Sequence, residues 1–423
     1  MRILFVTPYP PSRIRVRGYG FLTQLHGQHE VTVVTQCASE QELADVEALR
    51  RQGYEVLVVQ ESKRQAALRS GLALFSSLPL QVAYARSRRF TRAVQDLCAQ
   101  RPFDVVHVEH LRGIASMDSL ESTVAIPPLV WDAVDCISLL CKGTTTAGPN
   151  LKVRAVALFE YKRTRRYEAS MLGHLRHTVV TSERDRQAMI EVYRSEMNNE
   201  SSSDEELGAG IYVLPNGVDL EYFHPMPQER CRFNLVFSGK MSYHANVATA
   251  LYLYQQIMPL IWQRQPEATL TIVGSKPPAM IQRLASDPRV EVTGYVDDMR
   301  PYVGRADVML SPMVYSVGIQ NKVLEAMAIG TPVVVAAQAA AALGAKAGRD
   351  LLTAASAQEF ADATLKLLND VQLRAALSAS GRKYVEQQHD WGAVTGRLVN
   401  IYQQAIADHA GAQDTFAYAK SDG

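Results

Sequence analysis

Short apolar runs alternate with amphipathic stretches along the whole chain. In the first half the runs ILFV (3–6), VTVV (31–34), EVLVV (55–59), DVVHV (104–108), PLVW (128–131) and TVVT (178–181) predict strands. Segments 40–51, 89–100 and 151–173 between them have helical spacing. The second half repeats this order with FNLVFSG (233–239), TLTIVG (269–274), VEVTG (290–294), VMLSP (308–312) and PVVVA (332–336), and with a helix at about 245–264. Continuous apolar strands separated by helices are the pattern of parallel sheets covered on both faces. Two doubly wound α/β units in succession are therefore expected. The acidic, Ser-rich segment 195–210 predicts a mobile loop, and the strand IYVLPNGVD (211–219) after it turns at Pro215-Asn216-Gly217. The expected division is a first domain over 1–212, a second over 213–392 with a hinge within 213–232, and a C-terminal helix in 393–423. That helix is expected to pack back toward the first domain and to end in a frayed tail.

At 423 residues the chain is long enough for two cores. A net charge of +1 gives no compositional support for a nucleic-acid partner. Cys37, Cys98, Cys136, Cys141 and Cys231 are odd in number and unpaired in spacing, so free buried thiols in a reducing cytoplasm are expected. MRILFVT is too short for a signal core, and the apolar stretch 328–345 is broken by Gly330, Pro332, Gln338 and Gly344. No membrane span is expected.

The chemistry concentrates in VGIQNKVLEAMAIGTPVVVA (317–336). A turn at Gly318 and Ile319 opens a helix whose N-terminal amides suit a phosphate. Lys322 lies in its first turn, where the dipole disfavours a cation unless an anion is beside it. Glu325, three residues on, shares its side and could accept ribose hydroxyls. The competing reading is a solvated Lys–Glu pair on an ordinary amphipathic helix. In the first half, DVVHVEHLRG (104–113) places His107, Glu109 and His110 where an open α/β sheet binds ligands. VWDAVD (130–135) adds Asp132 and Asp135, either for acceptor hydroxyls or as helix caps. Asp297-Asp298 reads as a helix cap and not as a metal motif.

Segment 317–336 resembles the donor-binding stretch of the family-4 retaining glycosyltransferases of the GT-B fold. VLPNGVDLEYFHP (213–225), FSGKMSYHANV (237–247) and VEVTGYVDDMRPYVGRADVMLSPM (290–313) resemble that family in the same order. The resemblance implies an α/β fold of two Rossmann-like domains facing a central cleft. It also implies transfer of a sugar from a UDP- or GDP-sugar to an acceptor hydroxyl with retention. No cofactor or metal is required on this reading, since cations and helix dipoles offset the leaving diphosphate and a phosphate oxygen takes the acceptor proton. Carried over, Glu325 matches the ribose-binding carboxylate, Lys322 a phosphate contact, and Gly239-Lys240 the donor-domain loop. Gly294, Tyr295 and Val296 match the base-reading stretch. Glu109, His110 and Asp135 are the candidates for chemistry at the sugar.

Three positions depart from the family: Val317 stands where an upstream glutamate is usual, Ala245 where a second basic residue is usual, and 12–17 lacks the glycine pair. Arg13, Arg15 and Arg17 in that loop could meet phosphate or an anionic acceptor instead. The PYPP start and VWDAVDCISLL run look like an exopolysaccharide-associated branch. A nucleotide-sugar epimerase and a non-catalytic nucleotide-sugar binder remain as alternatives. From Ser62 to Gln95 there is no acid, while Lys63, Arg64, Arg69, Arg86, Arg88, Arg89 and Arg92 surround an apolar run. A second basic set lies in 152–166. Peripheral contact with an anionic membrane at the inner face of the plasma membrane, bringing a glycan or lipid-linked acceptor, is one reading; a solvated helix face is the other.

Overall fold

The computed structural model describes residues 1–117, 127–147, 151–197, 203–227, 230–313 and 319–421. The chain forms two compact units, Met1–Thr145 with Ala155–Leu214 and Trp391–Gly423, and Thr146–Arg154 with Pro215–Asp390.

Among the described residues the first unit holds seven strands: β1 (Arg2–Thr7), β2 (Glu30–Cys37), β3 (Glu55–Gln60), β4 (Val105–Glu109), β5 (Leu129–Val134), β6 (His177–Val180) and β7 (Ile211–Val213). They pair in the order β3-β2-β1-β4-β5-β6-β7, all parallel. Phe5 of β1 lies opposite Val33 on one side and His107 on the other. β1 is buried from Ile3 to Thr7, because helices cover both faces and leave no side for polar residues. Trp391, Val394, Leu398, Tyr402 and Ala405 recur at helical spacing along the Trp391–Ser421 helix and bury against Phe5, Phe21 and Leu25.

The second unit holds β8 (Cys231–Ser238), β9 (Thr269–Val273), β10 (Val290–Gly294), β11 (Ala306–Ser311), β12 (Val333–Ala336) and β13 (Leu352–Ala354), in the order β10-β9-β8-β11-β12-β13. Leu235, Phe237, Leu270, Ile272, Val308 and Leu310 pack against the helices on one face. Val236, Met309 and Val335 meet Val323, Leu324 and Met327 on the other.

Every strand read from an apolar run is present. β13 is an additional strand, and the strand expected over 211–219 stops at Val213. The helix expected over 245–264 is interrupted by a π-turn at Leu253–Ile257 that ends two residues before Pro259, whose ring supplies no N–H to the ladder. Cys231 is exposed, unlike the buried thiol expected there. Among the described residues no helix is long and apolar enough to cross a membrane.

In each sheet the chain order reverses beside the first strand, between β1 and β4 and between β8 and β11. Open α/β sheets bind ligands outside the carboxyl ends of strands at such switch points.

Candidate functional site

In the second unit the helix Asn321–Ile329 begins beside β11. The Ser311 hydroxyl donates to Gln320 Oε1 at 2.7 Å, and Asn216 Nδ2 donates to Asn321 Oδ1 at 3.0 Å. The helix ends at Gly330, left-handed at φ 86°, with the Thr331 N–H donating to the Ala326 carbonyl at 2.9 Å. Val323, Leu324 and Ala326–Ile329 are buried, while Lys322 and Glu325 remain half-buried.

These two do not form an ion pair. The Lys322 ammonium donates instead to Asn246 Oδ1 at 2.7 Å and lies 4.5 Å from the centre of the Phe237 ring. Asn246 is held for this, since its Nδ2 donates to the Lys240 carbonyl at 3.0 Å. Burial pulls the Lys322 pKa down to about 8 against the opposing charge of Glu325. Burial pushes Glu325 up to about 7 against the pull of Lys322. Among the described residues no donor reaches the Glu325 carboxylate. A half-buried carboxyl that no protein donor meets can accept hydroxyls from a ligand when ionised.

Backbone shape completes this corner. Gly239 has φ 151°, and a Cβ there would lie 2.8 Å from Asn246 Nδ2 and 3.1 Å from Lys322 Nζ. Gly274 has φ 155°, and its Cβ would overlap the Gly239 carbonyl oxygen at 1.8 Å. The loops after β8 and β9 therefore touch backbone to backbone. Lys240 is exposed, Tyr295 is 74% exposed, and Val296 and Ile319 are half-buried. Gly318 and Val317 lie outside the described residues. Asp298 accepts the Arg300 N–H at 2.9 Å and pairs with the Arg300 guanidinium at 2.8 Å; the residue at the cap position of the Arg300–Gly304 helix is Met299, with no side-chain cap, so the expected capping by Asp297-Asp298 gives way to this local ion pair.

In the first unit Glu109 is buried at the end of β4, and His110 follows with φ 67°. This left-handed residue turns the chain abruptly into the His110–Met117 helix. Its Nδ1 accepts the Arg112 N–H at 3.2 Å, which leaves the proton on Nε2, and burial lowers its pKa to about 4. His110 is thus a neutral ring with one donor. Val134 at the end of β5 has φ 69°, a strained conformation for a β-branched residue. Asp135 follows, accepting the Thr181 hydroxyl at 3.1 Å, with its pKa raised to about 6 by burial and by Asp185. Glu109 rises to about 7, first through burial and then through Asp132. Gly18 admits its carboxylate: a Cβ at that position would lie 2.8 Å from Glu109 Oε2.

The arginines of the first loop separate in role. Arg17 is buried and grips Asp132 through Nε at 2.6 Å and Nη2 at 2.9 Å, with Nη1 on the Leu214 carbonyl at 3.0 Å. A charge taken out of water needs such a partner, so Arg17 and Asp132 form a wall rather than open ligand contacts or a helix cap. Arg15 pairs with Glu42 at 2.6 Å and lies over Tyr9; Arg13 is exposed. His107 is also not at the surface. It stacks on Phe5 at 4.2 Å and meets the Tyr402 hydroxyl at 2.9 Å through Nδ1. The structure thus gathers Glu109, His110 and the Arg17–Asp132 pair near the β1/β4 switch. Asn246 and Gly274 join the second-unit site without a motif to mark them; Asn246 sits one residue beyond Ala245, where a second basic side chain is usual.

Residues 232–370 match the family described as glycosyl transferases group 1. The two sheets and their connections are those of the GT-B fold. The Anabaena Alr3699/HepE structure in complex with UDP superposes with a TM-score of 0.65 at 15% identity, over 96% of this chain and 100% of that one. The Thermosynechococcus elongatus sucrose-phosphate synthase gives 0.66 at 15% identity, over 96% and 100%. In sequence the chain is similar to a Corynebacterium glutamicum GDP-mannose-dependent monoacylated alpha-(1-6)-phosphatidylinositol monomannoside mannosyltransferase, 30% identical over 45% of this chain and 55% of that protein. It is also similar to a Mycobacterium leprae phosphatidyl-myo-inositol mannosyltransferase, 26% identical over 47% and 55%. The matched region thus spans little more than half the length of these relatives.

Proposed function

We propose that the protein transfers a sugar from a nucleoside diphosphate sugar to an acceptor hydroxyl with retention, the nucleotide binding on the second unit and the acceptor on the first. The observation that carries this reading is Glu325: a half-buried carboxylate without a donor, beside a lysine that Asn246 holds, at the switch point of a group 1 glycosyltransferase domain. Glu325 takes the ribose hydroxyls. Lys322 and the N-terminus of its helix neutralise the diphosphate as it leaves. Gly239, Lys240 and Ile319 line the phosphate path, and Tyr295 with Val296 meets the base. On the first unit the His110 Nε2–H, Glu109 and Asp135 take hydroxyls of the acceptor. The names of the curated relatives make GDP-mannose the first donor to try and a lipid-linked glycan the first acceptor. The setting is cell-surface glycan synthesis, with peripheral attachment at the inner face of the membrane.

Titration calorimetry with GDP, UDP and their sugars tests the nucleotide site. One nucleotide series is expected to bind, and Glu325→Ala to weaken each of its members by about 10- to 100-fold, the worth of hydrogen bonds to a charged group. Unchanged affinity in the variant, or no binding by any nucleotide, would remove the ribose assignment.

A further inference from the structure

A second built site lies away from the residues described so far, at the carboxyl end of β3 in the first unit. It is a cavity of about 970 Å³ with Arg69, Arg86, Arg88, Arg89 and Arg92 in its wall and Glu61 as the one acid among the lining residues. Glu61 is already engaged, by the Ser87 hydroxyl and by Arg69 Nη2 at 3.1 Å. Among the described residues no carboxylate pairs with Arg88, Arg89 or Arg92. Arg88 and Arg89 open the Arg88–Gln100 helix, whose first turn contains no acid, although the dipole there favours negative charge. Several guanidinium groups converging on one cavity repel each other unless an anion joins them. A phosphate suits the planar, forked donors of arginine best.

The edge of this cavity is apolar. Gln65 and Arg69 of the Lys63–Leu72 helix line it, and Leu68 and Leu72 lie within one turn of them, 67% and 73% exposed. In the turn that follows, Leu74 is 49% and Phe75 93% exposed. This turn is a held structure. Arg163 Nη1 donates to the Ala73 and Leu78 carbonyls at 2.8 and 3.3 Å, and Nη2 to the Leu74 carbonyl at 3.0 Å. A rigid apolar tip beside an arginine-lined cavity is complementary to a surface that presents phosphate above hydrocarbon.

We infer that this cavity binds the phosphate of an anionic lipid headgroup, with Leu72, Leu74 and Phe75 entering the acyl layer beside it. The inference rests on the proposed lipid-linked acceptor and says how the first unit meets it. The cavity lies on the same carboxyl edge as Glu109 and His110, three strand spacings from β4, or roughly 14 Å. A lipid held there keeps the headgroup region within reach of the candidate sugar site.

Sedimentation of the full chain with vesicles of phosphatidylglycerol mixed with phosphatidylcholine, and of phosphatidylcholine alone, is the test. The wild type should bind only the anionic vesicles. The triple variant Arg88→Gln, Arg89→Gln, Arg92→Gln should lose on the order of a hundredfold in partitioning. A second variant, Leu72→Ser with Phe75→Ser, keeps all the charge and should also bind more weakly. The control Lys346→Gln, Lys366→Gln, Lys383→Gln removes as many exposed charges from the second unit and should bind as the wild type does. Equal loss in that control, wild-type binding by the arginine variant, or no preference for anionic vesicles would overturn the inference. Binding of inorganic phosphate that the arginine variant lacks, without vesicle binding, would assign the cavity to free phosphate and overturn the lipid reading. Nucleotide titration of the same proteins separates the two proposals: vesicle binding without any nucleotide binding would end the transfer reading alone.

Discussion

Burial at the candidate sites makes single residues titrate where they matter. Glu109 is raised from 4.5 to about 7, chiefly by burial, so the folded protein holds that proton more tightly than the unfolded chain does. Its contribution to stability is complete below the unfolded value and is lost as pH rises through about 7. His107 and His110, lowered by burial from 6.5 to about 4, act in the opposite sense and lose their contribution as pH falls through that window. The unfolding free energy of Glu109→Gln should therefore fall less steeply than that of the wild type between about pH 5 and about pH 7, by up to about 1.4 kcal/mol per pH unit. Parallel denaturation profiles for the two proteins would show that Glu109 is not the group held protonated. Lys322 and Glu325 were legible in the sequence because three-residue spacing on a helix fixes their side. Their actual partners were not. Lys322 meets Asn246 across 76 positions and Arg17 meets Asp132 across 115, separations that no local pattern encodes.

At the scale of elements, the strands were legible because a parallel strand buried on both faces is a continuous apolar run. β13, three residues long with Thr353 at its centre, has no such run and forms only because β12 offers an edge. The positions where helices pack closely were equally hidden. Gly20 lies against the Trp391 ring, where a Cβ would come within 2.2 Å, whereas a Cβ at Gly396 of the same C-terminal helix meets nothing within 4 Å. Gly20→Ala should destabilise the protein by about 1–3 kcal/mol through overpacking. Gly396→Ala should stabilise it by up to about 1 kcal/mol through helix propensity. Denaturant unfolding measures both, and equal effects would contradict the packing described for this helix. The left-handed His110 and Val134 belong to the same scale. His110 follows β4 and Val134 ends β5, adjacent strands at one sheet edge, and neither has a composition signal, because glycine is the residue a reader expects there.

For the whole molecule, the sequence reading and the structure converge on two parallel sheets, each with polar groups gathered at its switch point. The second unit carries the family match and the donor-like corner. The first carries neutral His110, protonatable Glu109 and, two strands beyond β1, the arginine cavity. Within a chain of near-neutral net charge, the acid-free run 62–95 concentrates basic groups locally. The decisive measurement follows nucleoside diphosphate release from GDP-mannose and UDP-glucose, with and without a lipid extract as acceptor, and reads the anomeric configuration of the product by NMR. Expected is release that depends on acceptor, a product with the anomeric configuration of the donor, and loss of both in Glu325→Ala. Inverted product, free epimerised donor without acceptor, or tight nucleotide binding with no turnover on any lipid acceptor would contradict it.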